Sequence, residues 1–269
     1  MSDYVDVLIV GAGLSGVGAA YRLAERAPQR SYAILEGRER IGGTWDLFRY
    51  PGVRSDSDMY TLAFGFEPWT NSKAIADGGD IRDYIEATAQ KHGIADKIRY
   101  GRKVTRADWD SQTASWTVTS DLADGSTEIM RANFLYLCSG YYSYDQGHAP
   151  EFAGQEDFGG QLVHPQFWPE DLDYADKNVV IIGSGATAIT LLPAMAEKAA
   201  KVTMLQRTPT YVLSQPGRDV VANAARRVLP NKLVHHVARL RYAVMTVGFY
   251  QFCRAFPKTA RKNPARIDE

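Results

Sequence analysis

The residues best placed to do chemistry lie in two glycine clusters, GAGLSG at 11–16 and GSGATA at 183–188. In the first, Gly11, Gly13 and Gly16 follow the apolar run VDVLIV. A strand, a glycine turn and a helix in that order make a seat for a pyrophosphate. The first glycine permits the tight turn, the second lets backbone approach the phosphates, and the third lets the helix pack close to the strand. The helix start then offers N–H groups and its positive dipole end. Glu36 closes the next apolar segment, twenty residues beyond Gly16, where a carboxylate can accept hydrogen bonds from a ribose diol.

The second cluster runs Gly183, Ser184, Gly185, Ala186, Thr187, Ala188, with alanine in third place. The strand after it ends in Gln206-Arg207-Thr208 and not in an acid. A carboxylate there would repel a ribose 2′-phosphate, whereas Arg207 can pair with one bidentately and Thr208 can add a hydroxyl. The two endings ask for two cofactors: a nucleotide without a 2′-phosphate, as FAD is, and NADPH. A flavin that takes hydride from NADPH makes an oxidoreductase, whose chemistry depends on what reoxidises the flavin.

Two further stretches stand out. IGGTWDLFRYPGVRSDSDMY (41–60) is an unusual loop with glycines, Trp45, Pro51 and several polar residues, and such loops carry function more often than structure. FGGQLVHPQFWP (158–169) sets Phe158, Gly160, His164, Trp168 and Pro169 at fixed intervals. Taken singly, His164 reads as a packed loop histidine and Trp168 as core; the spacing gives them weight.

The elements that must position these residues follow from periodicity. Residues 5–10, 15–26 and 31–36 read as a βαβ unit, with small residues of the helix facing the sheet. Residues 81–92 form an amphipathic helix ended by Gly93. Residues 103–109, 115–120 and 127–133 alternate as antiparallel strands, and FLYLCSG (134–140) reads as a separate buried strand. NVVIIGSGATA (178–188), helix 187–199 and strand 201–207 then repeat the opening pattern roughly 170 residues later. The fold class expected is α/β: two Rossmann-like dinucleotide-binding domains with a β-meander and the start of a helical insertion. The expected boundaries are 1–140 for the FAD-binding part with its meander, 141–176 for a linker, 177–216 for the NADPH-binding part and 217–269 for the helical segment.

Composition narrows the remaining classes. The 269 residues carry 31 basic and 31 acidic side chains, so no overall charge draws the chain to nucleic acid. Cys138 and Cys253 lie far apart, which excludes a disulfide scaffold and a cysteine-based zinc site. No apolar run reaches the ~18 residues of a membrane span, and the reading is a cytoplasmic protein. Charge is uneven, however: residues 217–269 hold eleven basic residues against three acids. Tyr242–Cys253 is uncharged between Arg241 and Arg254, so a peripheral contact with a membrane surface stays open beside an ordinary insertion helix.

Together the motifs resemble the flavin-dependent Baeyer–Villiger monooxygenases. That family's fingerprint, FxGxxxHxxxW[P/D], is met by Phe158 through Pro169. Its longer motif, [A/G]GxWxxxx[F/Y]P[G/M]xxxD, is met by Gly42, Gly43, Trp45, Tyr50, Pro51, Gly52 and Asp56. The resemblance runs from Met1 to about Pro216 and weakens beyond. It implies that NADPH reduces FAD, that O₂ adds to give a C4a-peroxyflavin, and that this oxidant converts ketones to esters or lactones and oxygenates sulfides or thioamides. It implies that Ser15, Thr44, Trp45 and Asp56 line FAD and that the backbone of Val104 contacts its adenine. Arg54, Ser55, residues 183–188, Arg207 and Thr208 become NADP contacts, and His164 and Trp168 become coupling residues. Family members are roughly twice as long, and the arginine that stabilises their peroxide lies downstream, so a fragment of a longer protein is expected. Two alternatives remain open: a nitrogen- or sulfur-oxygenating flavoprotein, and a non-catalytic dinucleotide-binding fragment.

Overall fold

The computed structural model describes residues 4–208, Val212 and 215–260. Along the chain run β1 (Tyr4–Val10), α1 (Leu14–Arg26), β2 (Tyr32–Leu35), α2 (Thr44–Leu47), α3 (Met59–Leu62) and α4 (Gly78–Lys91). Then come β3 (Ile98–Arg99), β4 (Lys103–Asp110), β5 (Ser115–Asp121), β6 (Thr127–Leu137), β7 (Asn178–Ile182), α5 (Ala186–Ala196) and β8 (Lys201–Leu205). The helices α6 (Val220–Ala225), α7 (Asn231–Ala255) and α8 (Pro257–Ala260) complete the described chain. The fold is α/β with parallel strands beside Rossmann-type turns, as the sequence pattern predicts.

The chain divides into two compact units, residues 1–49 with 78–168 and residues 50–77 with 169–269. These do not follow the linear boundaries read from the sequence. The segment Tyr50–Asp77, expected within the first 140 residues' domain, packs in the second unit, and the linker at 141–176 is shared between both. Residues 261–269 of the expected helical segment lie outside the described residues.

In the first unit a six-stranded sheet has the order β3-β2-β1-β6-β5-β4. β1 sits between β2 and β6, parallel to both. Its Leu8 and Ile9 are buried, each contributing about 1.5–3 kcal/mol by leaving water. Helix α1 packs through Gly16, Val17 and Ala20, where the smallest side chains allow close approach.

The separate strands expected at 127–133 and 134–140 are one strand, β6. Its first half pairs antiparallel with β5 and its second half parallel with β1. Local periodicity cannot reveal this, because the partner changes while the backbone continues. Nor is the second half buried: Phe134, Tyr136 and Leu137 are exposed. An apolar run shows that a face can be covered, not that one of the described elements covers it.

In the second unit β7 and β8 form a parallel pair. Helices α6 and α7 pack Ala222, Val234 and Ala238 against Tyr60 and Ala74. The later part of α7 exposes Val244, Met245, Val247, Phe249, Tyr250 and Phe252. Among the described residues no helix is long and apolar enough to cross a membrane.

His235 on α7 is fully buried, and its Nδ1 accepts the Trp69 amide at 3.2 Å. Nε2 has no partner among the described residues. Burial, then the nearby His236, Arg239 and Arg226, push its imidazole down to about 4. An unfolded histidine titrates near 6.5, so between these values the unfolded chain holds the extra proton and stability rises with pH. Stability is therefore expected to fall by about 2 kcal/mol between pH 7 and pH 5 through this group. Denaturant unfolding of wild type and His235→Gln at both pH values checks it. The same pH dependence in the two proteins would contradict it.

Candidate dinucleotide sites

The first glycine turn is shaped by three close approaches. Gly11 has φ +103°, and a Cβ there would collide with the Cys138 carbonyl at the end of β6. A Cβ on Gly16 would strike the Gly11 carbonyl oxygen, so the third position admits only glycine. Gly13 and Gly43 face each other: a Cβ on Gly43, which has φ +55°, would lie 3.1 Å from the Gly13 Cα. The Gly42 amide donates to the Ala12 carbonyl at 3.1 Å, which ties the 42–43 turn to the first one. The result is a bare backbone cradle at the start of α1, whose N-cap Gly13 supplies no side-chain acceptor.

Glu36 stands beside it. Its carboxylate is buried and accepts the Ala12 amide at 2.7 Å and the Arg38 amide at 3.0 Å. Burial raises its pKa, and the two amides and the Arg38 guanidinium oppose that rise. A carboxylate has about four acceptor sites, so two remain for hydroxyl donors. The Glu36 backbone is pinned as well, its carbonyl accepting from Arg102 at 2.8 Å and its N–H donating to Arg99 at 2.9 Å. These bonds bring the start of β4, with half-buried Val104, alongside the end of β2. Ser15 is exposed on the first turn of α1, and Thr44 and Trp45 are half-buried on α2.

Asp46 was not singled out by sequence. It is buried and takes Arg38 at 2.6 Å and Arg49 at 3.4 Å. Arg38 also lies over the Tyr144 ring, 5.5 Å from its centroid. Arg38, Asp46 and Arg49 thus brace the turn that carries Gly43, Thr44 and Trp45. Asp46→Ala is expected to cost about 3 kcal/mol, because the part-buried guanidinium of Arg38 loses its counter-charge. Denaturant unfolding tests this, and a loss below about 0.5 kcal/mol, an ordinary surface effect, would contradict it.

The second turn is looser. Gly183 has φ +144°, and a Cβ on it would lie 3.8 Å from the Cβ of Ala188. Alanine is therefore accommodated in third place here, where the first turn demands glycine. Gly185 caps α5 with no side-chain bond, and Ser184, Ala186 and Thr187 surround that helix start. Arg207 and Thr208 follow β8 and are exposed.

The segment 50–58 packs on α5 within the same unit. A Cβ on Gly52, which has φ +80°, would overlap the Thr190 carbonyl, and Tyr50 Oη lies 3.3 Å from Thr190 Oγ1. Those contacts give the Tyr-Pro-Gly triplet a physical reason. Buried Ser55 bonds the 76 backbone in both directions: its amide donates to Ala76 O at 2.9 Å, and its Oγ accepts the Ala76 amide at 3.0 Å. Arg54 and Asp56, on either side, are exposed. Thr44 and Trp45 thus belong to the first unit and Arg54, Ser55 and Asp56 to the second.

In the fingerprint, Gly160 leaves room for Phe158, whose ring a Cβ would approach to 2.6 Å. His164 lies against Gly147, and its Nδ1 accepts the Gln166 amide at 3.2 Å, capping the turn Pro165–Phe167. Gln166 Nε2 in turn donates to Ser143 O at 2.5 Å. His164 is thereby used to set the turn that leads into half-buried Trp168.

A family model described as flavin-binding monooxygenase-like matches residues 71–228, more than half of the chain. The chain belongs to that family. A model of the NAD(P)-binding Rossmann-like domain matches residues 9–77. The FAD-containing monooxygenase EthA of Mycobacterium tuberculosis is 54% identical over 263 residues, which are 97% of this chain and 54% of EthA. The probable FAD-binding monooxygenase AlmA of Acinetobacter baylyi is 48% identical over 263 residues, 97% of this chain and 53% of AlmA. Among solved structures, an oxidized steroid monooxygenase bound to NADP superposes with a TM-score of 0.71 at 30% identity, covering 87% of this chain and 43% of that one. Cyclohexanone monooxygenase from Rhodococcus sp. Phi1 bound to NADP⁺ gives 0.70 at 27%, covering 82% and 41%. The chain spans about half the length of the relatives it matches. The resemblance to Baeyer–Villiger monooxygenases read from the motifs agrees with these relatives.

Proposed function

We propose that the chain is the FAD- and NADPH-binding part of a flavoprotein monooxygenase. Its reaction inserts one atom of O₂ into ketones, giving esters or lactones, and oxygenates sulfides or thioamides. The observation that carries the reading is the contrast between two glycine turns, one beside the buried carboxylate of Glu36 and the other followed by exposed Arg207 and Thr208. Relatives named as FAD-containing monooxygenases, and a cyclohexanone monooxygenase bound to NADP⁺, support the cofactors and a ketone substrate.

The bare cradle at Gly11, Gly13 and Gly43 suits a pyrophosphate, so the residues present fit FAD. The chemistry such a flavin supplies is two-electron transfer from NADPH to O₂. Glu36 accepts the ribose hydroxyls with the lone pairs its amide partners leave. Gly16 and Ser15 turn main-chain N–H groups of α1 toward the phosphates, and Val104 offers backbone to the adenine. Thr44 and Trp45 line the ring system and limit water. Arg207 and Thr208 hold the 2′-phosphate, while Arg54 and residues 183–188 hold the rest of NADPH, with buried Ser55 anchoring Arg54 through Ala76. His164 sets the 165–167 turn that leads into Trp168. By keeping water from a bound flavin, Thr44 and Trp45 would favour oxygen transfer over release of hydrogen peroxide.

The test starts with absorbance at about 450 nm, where an oxidised flavin absorbs. Anaerobic NADPH should bleach it. In air, the full-length protein that contains this chain should then turn phenylacetone or a thioether into ester or sulfoxide. No bleaching would remove the flavin reading; hydrogen peroxide alone with both substrates would remove the oxygenation reading.

A further inference from the structure

The helical segment at the end of the chain has no part in the roles above, yet its basic residues do not simply face solvent. Arg226, just after α6, donates from its two terminal nitrogens to the carbonyls of Thr70 (3.0 Å), Asn71 (2.8 Å) and Trp69 (2.7 Å). It also donates to Tyr60 Oη at 2.9 Å. Arg239 on α7 donates to the carbonyls of Tyr60 (3.1 Å) and Ala63 (2.8 Å). His235 accepts the Trp69 amide, and Tyr242 stacks on Tyr60 at 5.7 Å. Two helices thus grip the main chain of 60–71 through five carbonyls.

That grip is transmitted by hydrogen bonds. Gly217, at the entrance to α6, accepts the Ala74 and Ile75 amides, at 2.8 and 3.3 Å. Ala74 accepts the Met59 amide at 2.7 Å, Asp58 caps α3, and Ser55 pairs with Ala76. Arg54 bridges to Asp77. On its other side the segment rests on α5 through Gly52 and Tyr50. Residues 50–77 are therefore a strap fastened at one side to the helix of the second glycine turn and at the other to α6 and α7.

We propose that Arg226 is a positioning residue for NADPH: by holding the 60–71 backbone it fixes the strap that presents Arg54, which buried Ser55 ties to Ala76. The inference rests on the reading of the second turn as the NADPH site. It differs from a purely structural role because the strap belongs to the second unit, so its loosening should spare FAD.

The experiment measures NADP⁺ dissociation constants by calorimetry, flavin content by absorbance, and amide exchange across 54–76, for wild type, Arg226→Gln, Arg226→Lys and Tyr60→Phe. Arg226→Gln is expected to weaken NADP⁺ about tenfold, to speed exchange at 55–59 and 74–76, and to leave flavin content unchanged. Arg226→Lys should recover part of the affinity, since an ammonium reaches fewer of the carbonyls, and Tyr60→Phe should fall between it and wild type. Faster exchange with unchanged NADP⁺ affinity would overturn the proposal. So would equal loss of NADP⁺ and FAD, which marks a general folding defect. Failure of the wild-type chain to bind NADP⁺ would instead remove the underlying reading of the second turn, and the proposal with it.

Discussion

Glu36→Lys is expected to lose FAD on purification while NADP⁺ binding persists. The effect should be large because three losses coincide. The amides of Ala12 and Arg38 lose their acceptor. An ammonium enters a buried position next to Arg38, and breaking such a buried arrangement costs about 3–5 kcal/mol. The two ribose hydroxyls lose their acceptor as well. Glu36→Gln separates these contributions: it keeps the volume and one carbonyl, so it should retain the fold but bind FAD more weakly. Flavin-to-protein ratio after gel filtration is the readout. A stoichiometric ratio in Glu36→Lys would show that the flavin does not sit at the first turn.

The second large effect is selective. Arg207→Ala should weaken NADP⁺ by about tenfold to a hundredfold, the 1.5–3 kcal/mol carried by hydrogen bonds to a charged group. NAD⁺, lacking the 2′-phosphate, should change by less than about threefold. Its exposed position means that the substitution disturbs no packing, so thermal stability should be unaltered. Titration of the same protein with both nucleotides decides the matter. Equal losses for the two would detach Arg207 from the phosphate.

What could be read from the sequence follows from how residue types encode geometry. The glycine turns were legible because positive φ at Gly11 and the carbonyl facing Gly16 exclude side chains, and that exclusion is written as glycine. The Tyr-Pro-Gly triplet was equally visible, though its reason, contact with Thr190 far along the chain, was not. The course of β6 was hidden because its two halves share one backbone but different partners. The pairing of Arg38 with Asp46 follows no helical or strand period, so it resembled any two surface charges. Arg226 left still less trace: it binds main-chain carbonyls, which every residue possesses, so nothing at 69–71 advertises it. The grouping of 50–77 with the second unit is likewise a long-range property that a linear scan assigns to its neighbours.

The central claim is that one chain holds two different nucleotides at two separate turns. Its most direct measurement is calorimetric titration of the flavin-loaded protein with NADP⁺, with free flavin followed by filtration throughout. The account predicts one NADP⁺ bound per bound FAD, no flavin released, and weaker NADP⁺ binding with unchanged flavin content in Arg207→Ala. Release of FAD as NADP⁺ binds, or saturation with a single nucleotide of either kind, would contradict it.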